Sequence, residues 1–84
     1  MGTQVALVRA DDWQGFYVNE ILVMEDHQIE IQDVMPELMH KSIDRFELFD
    51  ADTEWLAERG GFPKKLKKVV LHDGDTVEQY WEKH

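Results

Sequence analysis

Phe16-Tyr17-Val18-Asn19-Glu20-Ile21-Leu22-Val23 is the stretch whose reading decides the fold. Two runs of β-branched, aromatic and aliphatic residues are separated by two residues, which is hairpin spacing. Asn19 tolerates the left-handed backbone such a turn needs, and Glu20 does so less well than the usual glycine. A longer loop with a shifted register fits the same residues. Upstream, Val5-Ala6-Leu7-Val8 reads as a largely buried strand that ends at Arg9, and residues 11–15 read as a turn. The chain therefore opens with three consecutive strands.

Downstream, the period changes. Ile31, Val34, Met35, Leu38 and Met39 fall at i, i+3, i+4, i+7 and i+8, one stripe of a helix over 31–39. Asp33 is its expected N-cap, which puts Pro36 in the first turn, where a missing N–H costs little. His40 and Lys41 then occupy the last turn, favoured there by the helix dipole. Residues 43–49 alternate in part and predict a fourth strand. Asp52 is expected to cap a short helix that carries Trp55 and Leu56 inward and stops at Gly60. Val69, Val70 and Leu71 predict a fifth strand. Asp75 with Glu78 three residues on predicts a capped final helix, with Val77, Tyr80 and Trp81 on its apolar face. The expected architecture is one α+β domain over residues 1–84. It has a mixed sheet of four to five strands and two to three short helices on one face.

The charge is unevenly spread. Residues 1–58 carry fourteen Asp/Glu against Arg9, Lys41 and Arg45, a formal net of −11. Residues 59–72 carry Arg59 and four lysines with no acid, and the whole chain of 84 residues stands at −9. Such a balance disfavours direct binding of nucleic acid, which needs basic surface to displace phosphate counterions. It favours contact with basic surfaces of other proteins. Nine aromatic residues suffice to anchor a modest core. No cysteine is present, which removes disulfides, thiolate metal sites and a cysteine nucleophile together. No apolar run approaches the about 20 residues of a membrane helix, and no signal peptide is visible at the start. A soluble, cytoplasmic protein is expected.

Trp13-x-Gly15-x-Tyr17-Val18-Asn19, followed by Leu22-Val23 and His27, resembles the opening of small uncharacterised proteins of bacterial and phage genomes. Glu54-Trp55-Leu56, with Arg59-Gly60 and Phe62-Pro63, is similar to their second half, so the resemblance spans roughly residues 5–70. That group has no established activity. The resemblance implies an accessory protein of bacterial or phage type and transfers no site.

The motifs that carry chemistry are mostly missing. Asp50-x-Asp52-x-Glu54 has the rhythm of a calcium loop, but Trp55 and Gly61 stand where glycine and a bidentate glutamate are required, so a turn and helix cap is the better reading. His27, His40, His72 and His84 show no close metal spacing, and His84 is terminal and expected to be mobile. Ser42 is the only serine and lacks a nucleophile elbow. Gly60-Gly61 is better explained as a helix stop than as a phosphate cradle. An enzyme is therefore not expected, and no cofactor is implied. Asp11, Asp12, Trp13, Tyr17, Asp50, Asp52 and Glu54 are the candidate partner-binding residues, carboxylates beside aromatics that suit a protein interface, with core packing expected for at least one of Trp13 and Tyr17. Lys64, Lys65, Lys67 and Lys68 are the candidate anion contacts, although lysines without arginine or interleaved aromatics make a poor nucleic-acid signature. The leading expectation is an acidic interaction protein docking by charge on a basic partner. The alternative is a dimeric module binding a small anionic or nucleotide ligand. A homodimer in which acidic and lysine-rich segments meet is compatible with either.

Overall fold

The structure, a computed structural model, describes residues 2–39 and 42–83. His40 and Lys41, expected in the last turn of the helix, and His84, expected to be mobile, lie outside the described residues. Four strands form one mixed sheet: β1 (Thr3–Arg9), β2 (Gln14–Val18), β3 (Ile21–Asp26) and β4 (Ile43–Asp50), in the order β3-β2-β1-β4. β1, β2 and β3 are an antiparallel meander, and β4 returns parallel to β1 after helix α1 (Ile31–Leu38). Helices α2 (Thr53–Arg59) and α3 (Val77–Lys83) follow, separated by a 3₁₀ turn at Leu66–Lys68.

The hairpin forms with the two-residue turn. Val18 pairs with Ile21, and Asn19 and Glu20 both take positive φ, 49° and 71°. This is the primed turn whose twist matches that of paired strands. The Asn19 side chain accepts the Gln4 N–H at 3.0 Å, tying the turn to β1. One irregularity follows: Tyr17 pairs with Leu22, but Phe16 pairs with Met24. Val23 is the extra residue of a bulge, so Leu22 and Met24 point to opposite faces.

The helices divide between the two faces instead of sharing one. The physical reason lies in β1 and β2. Val5, Phe16 and Val18 pack with Val34 of α1 on one face. Ala6, Val8 and Tyr17 pack with Phe49, Leu56 of α2 and Val77 of α3 on the other. Central strands apolar on both sides need cover on both. On the second face Phe62, Leu66, Val69 and Leu71 join the same core beside α2 and α3.

The expected fifth strand does not join the sheet. After the 3₁₀ turn, Val70 and Leu71 make only isolated bridges, to Thr76 and Ala51. Capping is shifted in two helices and as expected in one. In α1 the N-cap is Glu30, and the Asp33 carboxylate accepts the Glu30 N–H at 3.1 Å, so Asp33 sits inside the helix and Pro36 beyond its first turn. In α2 the Asp52 carboxylate accepts the Trp55 N–H at 2.9 Å, and Gly60 ends the helix at φ 86°. In α3 Thr76 replaces Asp75 as the cap: its hydroxyl accepts the Gln79 N–H, and the Gln79 side chain accepts the Thr76 N–H in return. Asp75 instead pairs with Lys83. Among the described residues no helix is long and apolar enough to cross a membrane.

Candidate functional site

Strand direction collects the carboxylates. β1, β3 and β4 all run the same way, so their C-terminal ends share one end of the sheet. Asp50, Arg9, Gln14 and Asp26 form one row across that end, since Arg9 pairs with both Gln14 and Asp50, and Gln14 with Asp26. Asp11 and Asp12 lie in the exposed turn that follows Arg9, and Asp52 and Glu54 open α2 beside Asp50. Six of the seven candidate partner-binding residues, all except Tyr17, thus meet at one end of the molecule. Asp26 and His27 join them and were missed in the sequence. The two-residue hairpin turn was the available signal, because it fixes which end of the sheet β3 reaches.

Within this end lies an open cleft of about 220 Å³ between the β1–β2 turn and α2. Ala10 and Trp13 form one wall, Leu56, Ala57, Gly60 and Gly61 the other, with Asp12 and Thr53 also lining it. Trp13 is held on two sides. Its indole Nε1 donates to Glu25 at 2.8 Å, and its ring meets the edge of His27 at 4.9 Å between centroids. His27 Nδ1 lies 3.1 Å from the Asp12 carbonyl, bracing the turn that carries both acids. Glu25 reaches Trp13 because of the bulge at Val23, which places it opposite Gly15 on the face covered by α2. The same carboxylate accepts the Phe62 N–H at 3.1 Å, so one side chain joins the cleft wall to the connector after α2.

The remaining predicted residues have different surroundings. Asp50 is exposed and lies 3.5 Å from Arg9. Asp52 is half-buried and committed to the helix cap. Tyr17 offers no surface to a partner: it is fully buried, and its hydroxyl donates to the Pro63 carbonyl at 2.6 Å. Burial pushes its phenol well above the ordinary value of 10.0, the Glu25 carboxylate adds to the rise, and Arg59 opposes it.

The lysines lie toward the opposite end of the sheet. The Lys64 carbonyl accepts from Leu22, and Lys65 bridges to Ile21, which places both beside the Asn19-Glu20 turn. Lys67 lies 3.7 Å from Glu20. Lys68 is exposed at the end of the 3₁₀ turn. The cavity beside Lys65 and Lys67 is also lined by Glu20, which works against an anion there. The candidate carboxylates therefore gather at one end of the strands, whereas Lys64, Lys65 and Lys67 lie toward the other. Among the described residues no three His, Asp or Glu side chains come together as ligands for a metal ion. Comparison with protein-family models, curated proteins and solved structures found no match to this chain.

Proposed function

We propose that this chain is a non-enzymatic interaction protein that docks its acidic end on a basic surface of a partner protein. One observation carries the reading: a mostly apolar cleft, walled by a braced tryptophan, opens among clustered carboxylates. That combination suits a lysine or arginine side chain. The aliphatic stem packs against Leu56 and Ala57, the cation meets the Trp13 ring, and Asp11 and Asp12 offset its charge. The net charge of −9 steers a basic partner toward the site over longer range. The alternative, an anionic ligand held by Lys64, Lys65, Lys67 and Lys68, has weaker support, because Glu20 lies among those lysines.

The test is a pull-down at low salt, followed by affinity measurements on the captured partner at rising ionic strength. Binding is expected to weaken steeply with salt, and Asp11→Asn with Asp12→Asn to weaken it by tenfold or more at low salt, the equivalent of about 1.4 kcal/mol. An affinity indifferent to salt up to about 0.5 M, where the screening length is only a few ångströms, would overturn the reading.

A further inference from the structure

The acidic end leaves one large feature of the molecule without a role, the outer edge of β4. We propose that this edge pairs antiparallel with β4 of a second copy, in register about Phe46, to make one continuous eight-stranded sheet.

The edge is open. β4 is the last strand of the sheet, and no described strand or bridge meets its outer side before Ala51. Its backbone is aimed for pairing. Ala51 donates its N–H inward to Arg9, whereas the Asp50 carbonyl accepts from His72 and the Asp52 N–H donates to Val70, both on the outer side. The alternation of strand backbone then turns the N–H and C=O of Leu48 and Phe46 outward. Proline and lysine, two of the usual protections of a free edge, are absent from β4.

The side chains favour an apolar neighbour on one face. Phe46 is 59% exposed and Leu48 51%. A register slip at Asp44 sets Ile43, opposite Thr3, on the same face as Phe46, opposite Val5, and Leu48, opposite Leu7. On this face α1 packs on Val5 and Phe16, and Phe46 lines an open cavity shared with Val34 and Leu38 of α1.

Charge selects the occupant and the register. With the two-fold axis at Phe46, Arg45 of each copy stands opposite Glu47 of the other, so two ion pairs form across the joint. Within one chain, Arg45 Nε already lies 2.7 Å from Glu47, so the joint closes a four-membered network. An axis at Glu47 would set two carboxylates against each other, and an axis at Leu48 would set Arg45 against Ala51 and Glu47 against Phe49, so that neither charge finds an opposite one across the joint. Antiparallel pairing also places the two acidic ends at opposite ends of the joined sheet, which limits their repulsion.

The test uses the intact chain at physiological ionic strength. Sedimentation is expected to show a dimer at micromolar concentration. Arg45→Glu should weaken it by tenfold or more, and Arg45→Glu combined with Glu47→Arg should restore most of the loss. The chain has no cysteine, so single substitutions report the register directly. Phe46→Cys should oxidise with air to a covalent dimer, because Cα atoms of a hydrogen-bonded antiparallel pair lie about 5.5 Å apart, within disulfide range. Leu48→Cys should not, since its counterparts are four residues out of register. A chain that stays monomeric at the highest soluble concentration overturns the proposal. So does a dimer that Arg45→Glu leaves intact, or one in which Leu48→Cys crosslinks as fast as Phe46→Cys.

Discussion

Replacing Tyr17 with Phe removes one oxygen atom and tests how the second layer is fastened to the sheet. The Tyr17 hydroxyl donates at 2.6 Å to the carbonyl of Pro63, and both residues are buried. Phenylalanine fills nearly the same volume, so the packing against Phe62 persists and the lost hydrogen bond dominates. The Pro63 carbonyl is then left without its donor in a dry environment, which costs about 1–3 kcal/mol. A domain of this size holds about 4–13 kcal/mol in total. Each kcal/mol corresponds to roughly 4–8 °C in Tm, so Tyr17→Phe should melt about 5–20 °C lower at neutral pH. Circular dichroism during thermal and urea unfolding measures this. A Tm within 2 °C of the parent, roughly 0.5 kcal/mol or less, would refute the account of the fastening. The same pair of proteins carries a pH signature. The folded phenol titrates above the ordinary value of 10.0, so below pH 10 both folded and unfolded states keep the proton. Above it, the unfolded chain loses its proton first and stability falls as pH rises. The advantage of the parent over Tyr17→Phe should therefore shrink as pH climbs past 10.

Two further substitutions probe the elements that place the cleft. A Cβ on Gly15 would stand 2.6 Å from the Phe62 ring, so Gly15→Ala must push that ring off the sheet; a loss of about 1–3 kcal/mol is expected in urea unfolding, and an unchanged midpoint would contradict the close approach. Glu20 holds a left-handed φ of 71°, a strain of roughly 1–2 kcal/mol, partly offset by the greater freedom glycine has when unfolded. Its exposed contact with Lys67 contributes little, so Glu20→Gly should raise stability by about 0.5 kcal/mol. A lower midpoint would show that the turn is unstrained.

The acidic end illustrates how local chemistry and topology combine. Each carboxylate was visible in the sequence, and the hairpin turn was enough to send β3 back toward the β1–β2 turn. The arrival of Asp50, Asp52 and Glu54 at the same end depended on β4 running parallel to β1. No local residue encodes that direction; it follows from α1 crossing the sheet. Tyr17 shows the opposite outcome. As an aromatic near a loop it reads as interface material, and only the packing of residues 62–66 over β2 removes it from the surface.

By itself the sequence determined the elements: alternation and β-branched residues for the strands, the 3.6-residue period for α1, and Asp52 with Gly60 for the limits of α2. These are set by interactions within a few residues, so they are legible without a fold. Tertiary structure alone decided which face each helix covers, that Val69–Leu71 remain outside the sheet, and that Thr76 rather than Asp75 caps α3. It also decided the bulge at Val23, which turns Glu25 toward Trp13 and Phe62 and so builds the cleft. One residue inserted into a ladder reverses the facing of every residue beyond it. Its position is chosen by how well the two faces pack, a property of the whole chain that no single segment carries.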